Sequence, residues 1–127
     1  SLILKIIKNY RIDKTRVYVT GLSMGGYGTW ALAARRPDLF AAAVPICGGG
    51  DPATVIELNN LPIWVFHGGL DKVVLPEESE KMVRALEKAG GKVHYTLYPE
   101  AYHDSWTETY DNPALYDWML KNRKVDN

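Results

Sequence analysis

A chain of 127 residues favours a single domain, and with 46% hydrophobic residues it has the material for a packed core, which argues against a disordered chain. Its 15 basic and 15 acidic residues cancel to zero formal net charge with no basic stripe or lysine run, which speaks against nucleic acid or an anionic membrane surface as partner. No apolar run approaches the ~20 residues of a membrane span, and the single cysteine, Cys47, excludes an internal disulfide.

In chain order, Leu2, Ile3, Ile6, Ile7 and Tyr10 follow helical apolar spacing, so the chain opens on an amphipathic helix without a capping signal, as if entered midway. Its apolar stretch is short, is interrupted by Lys5 and Lys8, and lacks a small-residue cleavage site, so it does not read as a signal peptide. The compartment stays open, with the cytoplasm as the default. After the turn "RIDKTR", Val17 to Thr20 form a short buried strand. From Gly25 to Arg36 the pattern is helical, and Pro37 ends it. "FAAAVPICGGG" is a second strand running into glycines. Asp51 and Pro52 then supply the N-cap and first helical position of a helix over "DPATVIELNN". "PIWVFHGG" is a third strand, and "PEESEKMVRALEKAGG" is a helix with acidic residues in its first turn and glycines at its end. "KVHYTLYP" is a fourth strand; Asn112 and Pro113 begin a last helix. Neither repeats nor low-complexity linkers interrupt this order.

Strands alternating with helices imply parallel pairing, and continuous apolar strands imply a sheet covered on both faces. Sites in such sheets lie at the carboxyl ends of the strands. There the sequence places Ser23, then Gly48 to Asp51, then His67 and Asp71, then Pro99 to His103. A serine hydroxyl is a weak nucleophile that needs an adjacent base and a turn that projects it clear of its own backbone. Gly21-Leu22-Ser23-Met24-Gly25 has the G-x-S-x-G form of such an elbow between a strand and a helix, with Gly21 and Gly25 expected to make room for it. The Met24 backbone N–H would then face a developing oxyanion at the start of the helix. The bland alternative makes Ser23 an N-cap in a glycine-rich loop. Against it stands the order of the other candidates: Asp71 and His103 follow Ser23 in the sequence a Ser-Asp-His triad requires.

Other carboxylates compete for the acid's place. Asp51 is better explained as a helix cap, and Asp104 adjoins His103 too closely in sequence for an easy Nδ1 contact. Glu100 lies three residues before the base and remains a competitor to Asp71. Among the histidines, His94 reads as a packing or surface residue of the fourth strand and His67 as a structural residue of the "HGG" turn. That leaves His103 as the base. The histidines lack ligand spacing and one cysteine makes no thiolate cluster, so a metal site is not expected. Cys47 reads as a small buried residue. Tyr27, Tyr102 and Trp106 stand near the site in sequence and are candidates to line a substrate pocket.

"GLSMGGYGTW", "RRPDLFAAAVPICGGGD", "PIWVFHGGLDKVV" and "LYPEAYHDSW" together resemble the C-terminal half of an α/β-hydrolase, nearest to the phospholipase/carboxylesterase and dienelactone-hydrolase-like esterases often labelled as peptidases. The resemblance covers nearly the whole chain. It implies a truncated α/β-hydrolase over residues 1–127, about four parallel strands with helices on both faces. It implies Ser23 as nucleophile, Asp71 as acid and His103 as base in a cofactor-free carboxylesterase acting on small to medium esters through an acyl-enzyme. It also implies that the strands ahead of the elbow, and the loop that supplies a second oxyanion donor, have no counterpart here. A serine peptidase and a non-catalytic half-hydrolase serving as an interaction module are the alternatives. In the family's strand order the elbow strand is central, so "RVYVTG" is expected to be an open edge that drives self-association, as a homodimer.

Overall fold

The computed structural model describes residues 13–124. The expected first helix lies outside the described residues. Four strands, β1 (Tyr18–Leu22), β2 (Ala42–Ile46), β3 (Ile63–Gly68) and β4 (Val93–Tyr98), form one parallel sheet in the order β1-β2-β3-β4. The helices are α1 (Met24–Arg35), α2 (Pro76–Lys88), the short α3 (Trp106–Tyr110) and α4 (Pro113–Lys121). Two 3₁₀ segments, Pro37–Leu39 and Pro52–Leu58, flank β2. This is the four-stranded parallel sheet with helices that the sequence leads one to expect.

The pleat sorts the strand residues between two cores. On one face Ala43, Ile63 and Val65, with the half-buried Val19 and Tyr95, pack under Trp30 and Ala33 of α1 and Met82, Val83 and Leu86 of α2. On the other face Val44, Ile46 and Phe66, with Trp64 and Tyr98, pack under Leu115, Trp118 and Met119 of α4. The heptapeptide-like spacing of Ser79, Met82, Val83 and Leu86 gives α2 its buried stripe, and Pro76 with Glu77 and Glu78 gives it a start that suits the helix dipole.

Some local expectations change. The first strand starts one residue later than expected and runs on to Leu22, because Gly21 and Leu22 still pair with Pro45 and Ile46. The segment after Asp51 carries the expected cap, with Asp51 accepting from the Ala53 N–H at 3.0 Å, but it coils as 3₁₀ rather than α. The stretch between the fourth strand and Asn112, to which the sequence assigns no element, contains α3, too short to leave a periodic signal.

All five residues of β2 are buried. Ala43 and Cys47 donate their N–H groups toward β3, to Pro62 and Phe66, so the intervening Pro45 nitrogen faces β3 without a hydrogen to give. Register pairs between these strands fall at Ala43–Ile63 and Ile46–Phe66, on either side of that position. Among the described residues no helix is long and apolar enough to cross a membrane.

Candidate active site

Ser23 stands between β1 and α1 with φ 55° and ψ −117°, a conformation that favours glycine. What holds a serine there is packing without side chains. A Cβ on Gly21 would run into the Gly25 backbone, one on Gly26 would lie 2.5 Å from the Ile46 carbonyl oxygen, and one on Gly48 would lie 2.6 Å from the Gly26 carbonyl carbon. Gly25 was expected to make room for the serine, but a Cβ on it would meet nothing within 4 Å. Gly26 has that role instead, because α1 turns its next residue onto the end of β2. Hydrogen bonds complete the turn: Ser23 N–H donates to Ile46 O at 3.0 Å and faces Cys47 Sγ at 3.3 Å, and the Gly26 and Tyr27 N–H groups donate to Ser23 O. The Met24 N–H opens α1 and has no carbonyl four residues back within the helix to receive it.

Asp71 sits in the loop after β3 and is 2% exposed. Its Oδ1 accepts from the N–H groups of Val73 and Val74, each at 2.9 Å. The loop is stitched to the one after β4 by Gly69 N–H to Tyr98 O at 2.8 Å and Leu70 N–H to Ala101 O at 2.9 Å. That stitching sets the position of His103. Its Nδ1 lies 2.8 Å from Asp71 Oδ2, and its Nε2 lies 3.1 Å from Ser23 Oγ. With Nδ1–H donated to the carboxylate, Nε2 is left to accept the serine hydroxyl hydrogen. Burial pushes the Asp71 carboxyl up, but the hydrogen bonds from His103, Val74 and Val73 outweigh it and hold the group below its ordinary value.

The other candidates are placed as follows. Trp106 meets the His103 ring edge-on, with centroids 5.4 Å apart, and so backs the imidazole. Tyr27 and Tyr102 are exposed, on α1 and beside His103. Asp104 is occupied by Thr107, whose N–H and hydroxyl it accepts. Glu100 lines a separate cavity of about 350 Å³ with Tyr98, Pro99, Ala101 and Glu108. His94 packs against Trp64 and Trp118. Among the described residues, Cys47, Asp71 and His103 are the group whose potential metal-ligating atoms lie within 4.8 Å of one another. Both nitrogens of His103 are already engaged there, and burial pushes the Cys47 thiol up, away from the thiolate a metal needs. Sequence reasoning missed that Cys47 borders Ser23 and that His67 touches Asp71; only the four-residue spacing of His67 and Asp71 hinted at the second.

Residues 2–119 match the model of the dienelactone hydrolase family, and the chain belongs to that family. It is 45% identical to a thermostable esterase of solved structure over 97% of this chain and 35% of that one, with a TM-score of 0.93. It is 32% identical to a protein of Escherichia coli assigned as a carboxymethylenebutenolidase, over 72% of this chain and 37% of that protein. The acylaminoacyl peptidase of Pyrococcus horikoshii shares the fold at 14% identity, with a TM-score of 0.80 over 99% of this chain and 27% of that one. The chain thus spans about a third of the length of the esterase and the curated relative.

Proposed function

Starting from membership of this family, we propose that the chain carries the hydrolytic centre of a serine carboxylesterase acting on small to medium carboxylic esters, without a cofactor. The observation that supports this most is the continuous hydrogen-bonded path from Ser23 Oγ through His103 to Asp71, on a backbone strained at Ser23. His103 Nε2 takes the hydroxyl proton as Ser23 Oγ attacks the ester carbonyl, and Asp71 stabilises the imidazolium that forms. The Met24 N–H stabilises the oxyanion; losing one such donor costs about 10²–10³ in turnover. The imidazolium returns its proton to the departing alcohol, and water, deprotonated in turn by His103, releases the acid from the acyl-enzyme. Tyr27, Tyr102 and Trp106 border the substrate.

A chromogenic short-chain ester assay tests this, with Ser23→Ala as control. Turnover in the unaltered chain and its loss by orders of magnitude in the variant are expected. Full activity in Ser23→Ala would sink the serine mechanism. Turnover of an aminoacyl amide in preference to the ester would favour a peptidase, and inactivity of the unaltered chain toward both would favour an interaction module.

We propose further that the chain self-associates as a homodimer. β1 pairs with β2 on one side, and among the described residues no strand covers its other edge, so its free N–H and C=O groups can take up a strand from a second copy. Sedimentation equilibrium at micromolar concentration should show dimer mass, weakened by Val19→Lys; a single monomer species refutes it.

A further inference from the structure

Asp71 meets two histidines, and the hydrolytic path uses only one. Its Oδ2 lies 2.8 Å from His103 Nδ1 and 3.3 Å from His67 Nε2. His67 is fully buried at the end of β3, so no solvent competes for its contacts. Its tautomer follows from its partners. Val74 O, 2.7 Å from Nε2, can only accept, so Nε2 bears a hydrogen. That N–H donates to Val74 O, and the same edge of the ring lies against Asp71 Oδ2 at 3.3 Å. On the other side of the ring Nδ1 lies 2.7 Å from Ser79 Oγ, which donates to Gly48 O at 2.9 Å or to the ring. Ser79 belongs to α2 and Gly48 to the turn after β2. The ring is therefore fixed by the body of the fold, while the groups it holds are the acid and the loop that carries it.

We infer that His67 is a positioning residue for the Asp71 carboxylate. Its Nε2–H steers Oδ2 onto His103 Nδ1 and takes up part of the negative charge that Asp71 presents to the imidazole. This rests on the reading of Ser23, His103 and Asp71 given under the proposed function. A purely structural histidine would need only Val74 and Ser79 as partners. The shared carboxylate oxygen is what links the ring to hydrolysis, because the positive N–H edge of His67 beside it offsets part of the charge that faces His103. With the His67 N–H gone, Oδ2 acts on His103 alone, so the protonated imidazole is held more tightly and the carboxylate is held less firmly in place. The other titratable groups near these rings are Cys47, from the turn after β2, and Asp104, beside His103. Both are unaltered in the His67 variants and cannot account for differences among those variants.

The test compares His67→Phe, which fills the ring's space without a polar atom, with His67→Gln, whose side-chain amide can donate to Val74 and Asp71. In the ester assay His67→Phe should lower kcat about 10-fold or more, the scale on which outer-shell partners act, with KM little changed. The acid limb of its kcat/KM profile should move to higher pH, and His67→Gln should recover most of both. A folded His67→Phe protein with the original kcat and pH profile overturns the proposal. Nitrogen-15 NMR of the imidazole rings gives a second measurement that leaves His67 in place. Asp71→Asn should move the His67 Nε2–H signal as well as that of His103, and an unmoved His67 signal overturns the proposal even if His67→Phe does not fold. Activity surviving in Ser23→Ala would defeat the hydrolytic reading instead, while the NMR coupling would still stand or fall by itself.

Discussion

The elbow at Ser23 and the loop at Asp71 both leave the carboxyl end of a strand, yet different forces hold them. At the elbow the constraint is steric: Ser23 keeps a glycine-like conformation because Gly21, Gly26 and Gly48 let three backbone segments touch. At the Asp71 loop the constraint is electrostatic: one carboxylate gathers two N–H groups of its own loop and lies against two imidazoles. An elbow of this kind fails when an atom is added. A loop held like that of Asp71 fails when a charge is removed.

Removing that charge should have the largest effect. Asp71→Asn keeps the size of the side chain, and kcat should fall about 10⁴-fold, as for a triad acid replaced by its amide, while circular dichroism stays unchanged. A larger loss in Glu100→Gln than in Asp71→Asn would move the acid to residue 100. Adding an atom at the elbow comes next. Gly26→Ala forces a 2.5 Å contact on the Ile46 carbonyl oxygen. It should lower stability by about 1–3 kcal/mol, the usual cost of overpacking, and activity with it. Gly25→Ala places its methyl in open space at the start of α1 and should be neutral or gain about 0.4–1 kcal/mol through the unfolded chain. Thermal unfolding of the pair decides: equal losses in both would mean that the steric account of the elbow is wrong. The smallest effect is that of acid. Asp71 is held below its ordinary value, so its stabilising contribution is complete above the unfolded carboxylate range near ~3.9 and fades as pH falls through the lower folded value. Amide exchange of Val73 and Val74 should therefore accelerate over that window, relative to Gly26 and Tyr27, whose N–H groups are held by the Ser23 carbonyl. Equal acceleration at both places would remove the distinction.

The same contrast governs what the sequence makes legible. Elements whose cause is local read well: the strand and turn around Ser23, the cap at Asp51, the amphipathic α2 and the glycines that close it. Features that depend on which segments meet do not. The spacing of the motif points to Gly25 as the residue that makes room, but only the approach of β2 shows that Gly26 is the crowded one. Cys47 and Ser23 are 24 residues apart, and their contact depends on the β1–β2 register rather than on either neighbourhood. Asp71 and His103 could be named from their places after strands, whereas the backbone bonds that bring them within 2.8 Å belong to two loops read separately. The four strands read alike as apolar, yet the inner β2 is buried throughout and the outer β1 and β4 are only half-buried, a difference set by sheet order.

The proline within β2 bears on the chain before it is folded. "FAAAVPI" is the most continuously apolar stretch among the described strands, and released from the sheet it would be a template for intermolecular cross-β stacking. Pro45 withholds one hydrogen-bond donor from any such stack, and its ring resists the close strand spacing that amyloid requires. In the native sheet the omission costs a single ladder position, facing β3. The residue therefore acts as a gatekeeper from inside the most buried strand, where charged residues could not stand.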